Sequence, residues 1–406
     1  MTVLDKPIRD INAEDIRQLC QDRRPEGPQF EIKRDLPTKD GKPADYSNVG
    51  DYARNALATE IVAFANTFGG TMVIGVIESS DKPNRATAIA PMPNCDDLAR
   101  RLRQAVQDIV DPPLPMLESW GVVTEEDGTS GVVVMRVGKS RRAPHRSMAT
   151  KEVYVRRDDE SVRIDMREVQ ELTMRRLAEV HAIDEEIARR REAFRQDFKE
   201  FAYDNACGLH YIAVPTTSID LGRVVNRPEL YAKETFVEVL IGDQLVQETT
   251  WRFGEFYNWR PALRAVNALE TRENLETRFS LNSGGLCELT FFVGKPEHAP
   301  FYAAWFASSM GLMLNWLDRV RSGGGFADQE YAVAPMLLVR GQASLRPFGQ
   351  GIFSDPSELP AGVHVFPIYP VNARDDFDKI IARFNEDFWN IAGVAPSGEL
   401  SFHLRR

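Results

Sequence analysis

Apolar residues recur at helical spacing ahead of a Gly-Gly pair and then run without a break behind it. The first pattern predicts a helix over residues 51–64. Its apolar face consists of Leu57, Ile61 and Phe64. Gly69 and Gly70 tolerate the positive φ that ends a helix, and the run from Met72 to Ile77 predicts a buried strand. We therefore predict a helix-to-strand corner whose uncovered backbone can approach a phosphate or a substrate, although an ordinary tight turn gives the same pattern.

Helix and strand patterns alternate through the first segment, residues 1–165. Further helices are predicted at Ile11–Leu19, with Asn12 as its cap, and at Asp96–Ile109. Further strands are predicted at Phe30–Lys33, Gly131–Val137 and Val153–Arg156. Strands separated by helices predict a mixed sheet with helices packed on it, an α/β (α+β) domain.

A near-heptad apolar pattern from Met166 to Phe201 predicts one long helix, assigned here as a connector over residues 166–204. Its other face is dense with Arg and Glu. Helices of this kind connect domains or form dimer seams, so residues 166–201 are a candidate homodimer interface. The run Arg189-Arg190-Arg191 is interpreted as part of a solvated face.

Residues 205–406 predict a second α/β domain without a motif that points to a ligand. Strands are predicted at Leu209–Val214, Phe236–Ile241, Leu289–Val293, Tyr331–Val339 and Val363–Tyr369. Helices are predicted at Tyr302–Val320 and Asp375–Ile391. We expect this domain to sense a trigger or to choose the substrate.

Composition narrows the class of protein. The 406 residues suffice for two domains, and the net charge of -10 favours solubility while still permitting one basic face. The four cysteines are scattered singly, without the spacing of a zinc site or a redox pair, so zinc is not expected. No apolar run reaches the length of a membrane span, and the N-terminus lacks a signal-peptide pattern, so the cytoplasm is the expected compartment.

Candidate chemistry begins with carboxylates near the first predicted strand. Glu26 and Glu31 can share a divalent cation, because hard oxygen ligands suit Mg²⁺ or Mn²⁺. Lys33 shares a strand face with Glu31 and could hold a scissile phosphate. Glu78, just past the apolar strand, is the candidate third acid, with Asp81 as its alternative. A solvated surface or a polar loop produces the same spacing.

Residues 139–163 have the strongest local positive bias in the chain. The candidate nucleic-acid-binding side chains here are Lys139, Arg141, Arg142, His145, Arg146, Arg156 and Arg157. Basic residues on a loop and a strand end suit a phosphate backbone. A solvated hairpin loop is the alternative interpretation.

Taken together, these pieces resemble the Schlafen AlbA-type domain over residues 15–173. The markers occur in order along the chain: Glu26 with Phe30-Glu31-Ile32-Lys33, the corner from Ala63 to Gly75, Arg142-Ala143-Pro144-His145-Arg146, and Val153-Tyr154-Val155-Arg156-Arg157 with Ser161-Val162. The ordered succession is more specific than any one marker.

The resemblance implies a nucleic-acid-binding domain and, in nuclease members, cleavage of RNA including transfer RNA. Acidic residues at the positions of Glu26, Glu31 and Glu78 would be catalytic and bind Mg²⁺ or Mn²⁺, with Lys33 on the phosphate. The family usually has Asp near the third position. Bacterial relatives are often linked to phage defence or transcription regulation. Animal relatives join two lobes into a horseshoe with a zinc site, whereas this chain shows one lobe, so a homodimer would supply the second.

These features lead to a metal-dependent endoribonuclease as the first hypothesis, with RNA favoured over DNA and no membrane partner. A non-catalytic DNA- or RNA-binding regulator that uses the basic region is the alternative. A scaffold that binds protein or small molecules is the third hypothesis. ATP binding is not expected, because the corner lacks the Lys that reaches a phosphate in a P-loop.

Overall fold

The fold comes from a computed structural model. It describes residues 3, 6–39, 43–232, 234–241, 244–252, 259–295, 300–324, 326, 329–346, 357–372, 377–393 and 400–405. The chain forms two compact units, Met1–Val180 with Ala327–Gln329, and His181–Phe326 with Glu330–Arg406. The mixed α/β fold predicted from the sequence is confirmed.

Unit 1, the N-terminal unit, alternates helices and strands. Its helices are α1 (Ala13–Gln21), α2 (Asp51–Asn66), α3 (Cys95–Gln107) and the first part of α4 (Met166–Glu200). Its strands are β1 (Phe30–Lys33), β2 (Gly69–Ile74), β3 (Val76–Glu78), β4 (Ala86–Ile89), β5 (Val110–Asp111), β6 (Leu117–Val123), β7 (Gly131–Gly138), β8 (Arg146–Ser147), β9 (Glu152–Arg157) and β10 (Glu160–Arg163).

The main sheet of unit 1 has the order β1-β2-β7-β6, with β1 parallel to β2 and the other neighbours antiparallel. Met72 and Met135 face α2 and α3 on one side, whereas Ile32 and Val73 face α1 on the other. Both faces are therefore covered, which explains the continuous apolar runs. A second sheet has the order β10-β9-β8-β5, and β3 pairs with β4.

The predicted cap of the first helix is confirmed. Asn12 accepts hydrogen bonds from the backbone N–H groups of Glu14 and Asp15, and the Asp15 side chain accepts one from Asn12 N–H. This capping box begins α1 at Ala13. The predicted helix at 51–64 is confirmed as α2, which ends at Asn66.

The prediction of one strand from Met72 to Ile77 is wrong. Gly75 has a φ of 102°, a conformation that side-chain-bearing residues rarely adopt, and it separates β2 from β3. Its backbone N–H donates to the carbonyl of Lys33 at 2.8 Å. The break therefore turns the chain past the end of β1 and directs Glu78 towards it.

The predicted long helix is confirmed as α4, and the division between the units falls within it. In unit 1, Arg176 is buried, and Lys139 lies 3.4 Å from Glu179. In unit 2, Phe194 and Phe198 pack with Phe292 on one face of a large sheet.

Unit 2, the C-terminal unit, is rich in antiparallel strands. Its strands are β11 (Ala206–Pro215), β12 (Glu234–Ile241), β13 (Gln244–Arg252), β14 (Arg260–Ala262), β15 (Ala265–Arg272), β16 (Leu275–Asn282), β17 (Cys287–Gly294), β18 (Pro300–Tyr302), β19 (Tyr331–Arg340), β20 (Ala343–Arg346), β21 (Ser357–Leu359), β22 (Gly362–Val365), β23 (Tyr369–Val371) and β24 (Leu400–Arg405). Its further helices are α5 (Ala303–Gly324) and α6 (Phe377–Ile391).

The large sheet of unit 2 has the order β14-β15-β16-β17-β11-β19-β22, with β23 also paired to β19. Trp316 of α5 and Phe384 of α6 lie in the core on the sheet face opposite Phe194. Smaller sheets have the orders β13-β12-β24 and β18-β20-β21. The predicted single strand Val363–Tyr369 is wrong, because β22 and β23 are separate strands there. Part of the predicted helix Asp375–Ile391 lies outside the described residues, which begin again at residue 377.

No helix in the described part of the chain has both the length and the apolar character needed to cross a membrane.

Candidate functional site

The turn before β1 brings Glu26 back over the strand that follows it. Gly27 and Phe30 exchange backbone hydrogen bonds of 2.9 and 3.3 Å, which closes the turn. As a result, Glu26 Oε1 accepts a hydrogen bond of 3.0 Å from the backbone N–H of Ile32. Glu31 and Lys33 lie on the same face of β1, and the ammonium of Lys33 contacts Glu31 Oε1.

Glu78 reaches the same region from the end of β3. Its carboxylate accepts hydrogen bonds from Asn84 Nδ2, at 3.3 Å, and from the backbone N–H of Arg34. The charges of Lys33 and Glu31 both act on Glu78, so these groups are neighbours. The structure therefore brings together Glu26, Glu31, Lys33 and Glu78, which the sequence singled out separately.

A buried arginine links this region to two further elements. The guanidinium of Arg156, on β9, pairs with Glu31 Oε2 and, at 2.6 Å, with Glu60 Oε2 of α2. It also lies 4.8 Å from the ring centre of Phe64, a cation–π distance. Ser161 Oγ donates to Glu60. We call Glu26, Glu31, Glu60 and Glu78, with Lys33 and Arg156, the carboxylate cluster.

Glu60 and Ser161 were not among the predicted site residues. A signal for Glu60 exists in the sequence, since it is a single acid within the apolar run Leu57–Phe64. A charge at that place in a helix that packs on a sheet requires a buried partner. No local signal identifies Arg156 as that partner, because the two residues are 96 positions apart.

Burial, together with the neighbouring charges, shifts the pKa values of several groups in the cluster. Burial raises the pKa of Glu26 to about 7, and the charge of Glu31 adds to the increase. Burial also raises the pKa values of Glu60 and Glu78. Burial by itself lowers the pKa of Lys33, but the ion pair with Glu31 and the charges of Glu60 and Glu78 together raise the pKa of this ammonium. The cluster thus contains a carboxyl that can gain or lose a proton near neutral pH.

The cluster fits a metal ion in its chemistry but not in its arrangement. Carboxylate oxygens suit Mg²⁺ or Mn²⁺. However, Lys33 engages one oxygen of Glu31 and Arg156 engages the other. Among the described residues, no group of three or more His, Cys, Asp or Glu side chains is arranged to hold a metal ion.

The helix-to-strand corner holds the basic segment in place. Asn66 Nδ2 donates to the carbonyls of His145, at 2.9 Å, and Tyr154, at 2.8 Å, while its Oδ1 accepts from His145 N–H at 2.7 Å. The backbone N–H of Ser140 donates to the carbonyl of Ala65 at 2.9 Å. The corner therefore joins α2 to the strands β8 and β9 through hydrogen bonds.

Two members of the predicted basic surface lie in the interior, which corrects the expectation that they contact nucleic acid directly. His145 is fully buried, with Nδ1 donating to the carbonyl of Pro112 and Nε2 beside Ser140 Oγ, both at 2.7 Å. Burial lowers the pKa of His145, so the ring is neutral at pH 7. Arg156 is buried within the carboxylate cluster. Neither side chain presents a charge to solvent.

The other predicted basic residues lie nearer the surface. Arg142, Arg146 and Arg157 are exposed, whereas Lys139 and Arg141 are half-buried. Arg146 pairs with Asp111 at 2.9 Å, and Arg157 pairs with Glu168. Such exposed pairs are weak, so a phosphate can compete for these arginines.

A comparison with protein-family models matches the Schlafen, AlbA_2 family over residues 26–165. Residues 26–165 are a Schlafen AlbA_2 domain. The matched range includes every residue of the carboxylate cluster and the basic segment of residues 139–163. The family is associated with nucleic-acid binding.

Two solved structures are similar to part of the chain. One is the DIP2311 protein from Corynebacterium diphtheriae, at 20% identity and a TM-score of 0.25, covering 36% of this chain and 23% of that one. The other is the N-terminal domain of a RecG-related protein from Nitrosomonas europaea, at 20% identity and a TM-score of 0.26, covering 36% of this chain and 88% of that one. No curated protein matches the chain. Similarities this low establish nothing about activity.

Proposed function

We propose that the Schlafen AlbA_2 domain cuts RNA at the carboxylate cluster, with transfer RNA or another structured RNA as the substrate class. The observation that best supports this is the meeting of Glu26, Glu31 and Glu78 beside Lys33 at the end of β1. The pKa values of Glu26 and Glu78 are raised, and carboxyls with perturbed pKa values are candidates for proton transfer.

Each residue has a role that follows from its environment. Glu26, with its pKa raised to about 7, can take a proton from an attacking water or hydroxyl group at neutral pH. The attacking oxygen then bonds to phosphorus as the bond from phosphorus to the leaving oxygen breaks, and the leaving oxygen takes its proton from solvent. The side chain of Lys33 is 28% exposed, so its ammonium can reach a phosphate oxygen. Glu31 holds Lys33 in position through their ion pair.

Mg²⁺ or Mn²⁺ remains part of the proposal as a cofactor to be tested. Glu26, Glu31 and Glu78 are the carboxylates that would hold the ion, and an ion there would compete with Lys33 and Arg156 for the oxygens of Glu31. Because the described carboxylates are not arranged around an ion, the chemistry assigned above is that of the side chains alone.

The direct test incubates the purified full-length chain with transfer RNA, unpaired RNA and single-stranded DNA, in Mg²⁺, Mn²⁺ or EDTA. We expect RNA cleavage that falls by about 100-fold or more in Glu31→Gln. Glu14→Gln is the matched control, since Glu14 is an exposed glutamate on α1 whose side chain is 71% exposed. Equal cleavage by Glu31→Gln and the unchanged protein would overturn the assignment. Cleavage that persists in EDTA would show that the reaction needs no divalent cation.

A non-catalytic nucleic-acid-binding regulator is the second candidate. The observation in its favour is that Lys33 and Arg156 neutralise both oxygens of Glu31, as in a purely structural network. In that case no RNA is cut, Glu26→Ala binds RNA normally, and Arg142→Ala binds it less tightly. A protein that binds no nucleic acid at low salt would favour the third hypothesis, a scaffold for protein or small molecules.

A homodimer through residues 166–201 and a role in phage defence belong to the same proposal. Exposed apolar side chains on α4, namely Met166, Met174 and Leu177, support the dimer. Sedimentation of the full chain and of Leu177→Asp tests it, and a monomeric unchanged protein would contradict it.

A further inference from the structure

An aromatic side chain projects from the helix-to-strand corner into solvent. Phe68 is 57% exposed, although the residues around it are packed closely. A β-carbon on Gly69 would lie 2.7 Å from the backbone nitrogen of Lys139, and one on Gly70 would lie 2.3 Å from the ring of Phe64. The two glycines therefore press the backbone inwards, which leaves Phe68 as the exposed side chain of the corner.

The backbone that carries Phe68 is fixed on both sides. The carbonyl of Phe68 accepts a hydrogen bond of 3.2 Å from Gln29 Nε2. Thr67 Oγ1 donates to the carbonyl of Ala63 and accepts from Arg156 N–H, both at 2.8 Å. A ring on a fixed backbone loses little conformational entropy when a ligand packs against it.

Basic residues are adjacent in sequence to two positions that pair with the corner. Gly69 pairs with Gly138, the last residue of β7, so Lys139 comes directly after that strand. Thr67 is hydrogen-bonded to Arg156, so exposed Arg157 is next along β9. The side chain of Arg156 belongs to the carboxylate cluster, where it pairs with Glu31. The corner that carries Phe68 is thus close in the fold to the backbone of two basic residues and, through Arg156 and Glu31, to the proposed cleavage site.

We propose that Phe68 is a stacking platform for an unpaired nucleotide base, so that the domain prefers single-stranded segments and loops over continuous duplex. Every base has a flat face that stacks on an aromatic ring, whereas the bases of a duplex have their faces covered. Lys139 and Arg157 would contact the phosphates on either side of the stacked base. This inference rests on the proposed binding of nucleic acid and adds the substrate form.

The test measures binding of the full chain to labelled oligouridine RNA and to a blunt RNA duplex by fluorescence anisotropy, in EDTA. We expect Phe68→Ala to weaken binding of the unpaired RNA about 5- to 100-fold and of the duplex less than about twofold. Phe68→Trp should retain binding. Tyr52→Ala is the matched control, because Tyr52 is 54% exposed at the opposite end of α2 and should have no effect.

Two further readouts separate stacking from general damage. The slope of log affinity against log salt should be the same in Phe68→Ala and the unchanged protein, because no phosphate contact is lost. Photocrosslinking with 5-iodouridine RNA should label residue 68. Thermal melting of Phe68→Ala should match the unchanged protein, since the replaced ring is exposed.

The outcomes distinguish this inference from the proposed function. Unchanged binding of unpaired RNA by Phe68→Ala, or an equal loss for duplex, would overturn stacking while cleavage at Glu31 could still stand. Stacking confirmed without any cleavage would leave a binding module and refute the nuclease. If the protein without substitutions binds neither the unpaired RNA nor the duplex, both the stacking inference and the proposed function are overturned.

Discussion

Two groups of basic side chains lie close together in the sequence but in opposite environments in the fold. Arg142 and Arg146 are exposed on the segment around β8. Arg156 is buried on β9, where it pairs with Glu31 and Glu60. Both groups belong to the basic segment of residues 139–163, yet only the first can contact a phosphate directly.

The difference shows that a basic segment can serve two tasks. The buried group neutralises carboxylates and connects β9 to β1 and α2. The exposed group supplies charge that a nucleic acid can meet. Substitutions in the first group should therefore change stability, whereas substitutions in the second should change binding.

The largest expected effect comes from removing the buried guanidinium. Arg156→Ala leaves Glu31 and Glu60 without their shared partner and should lower the free energy of unfolding of unit 1 by about 3–5 kcal/mol. Urea unfolding followed by hydrogen exchange in β2 and β7 measures this unit separately. An Arg156→Ala protein as stable as Arg142→Ala would contradict the comparison.

Removal of the Asn66 hydrogen bonds at the corner should have the next largest effect on stability. Asn66→Ala leaves the backbone N–H of His145 and the carbonyl of Tyr154 without their partner, at a cost of about 1–3 kcal/mol. The same unfolding measurement checks it. Asn48→Ala, at an exposed asparagine of unit 1, is the control and should change stability little. If Asn66→Ala leaves the free energy of unfolding unchanged, the Asn66 hydrogen bonds do not stabilise this segment.

The raised pKa of Glu26 makes stability depend on pH. In the folded state the carboxyl titrates near 7, above the ordinary value of about 4.3, so the folded protein binds this proton more tightly. Stability from this group therefore falls as pH rises from about 4.5 to 7. Glu26→Gln cannot ionise at this position. The stability of Glu26→Gln relative to that of the unchanged protein should therefore be higher at pH 8 than at pH 5. An equal difference in melting temperature at both pH values would refute the shift.

The smallest expected effect on stability is that of Arg142→Ala, within about 0.5 kcal/mol. Its effect should be on binding instead, where loss of one phosphate contact reduces the salt slope for unpaired RNA by about 0.7. Titrations of RNA at several salt concentrations measure it. If Arg142→Ala leaves the salt slope unchanged, the exposed group is not the binding surface.

Much of unit 1 was predictable from short stretches of sequence. The strand Phe30–Lys33 and the helices α2 and α3 follow from spacing, and α1 follows from spacing and its Asn12 cap. Their signals lie within a few residues of one another. The long helix α4 was equally predictable, because its period extends over many turns.

The remaining features depended on contacts between distant residues. The break at Gly75 reads as part of an apolar run, and only its bond to Lys33 shows that the chain turns there. Strands such as β15 and β16 were not predicted, because their short alternation is clear only once they pair. Which basic residues are buried could not be predicted from charge alone.

The sequence by itself determined the alternation of elements, the corner and the family resemblance, since these depend on local periodicity and on ordered motifs. Only the tertiary structure decided that Glu60 joins the carboxylate cluster and that Arg156 and His145 lie inside. Arg156 and Glu31 are 125 positions apart, and a buried charge is set by whichever partner the fold places beside it.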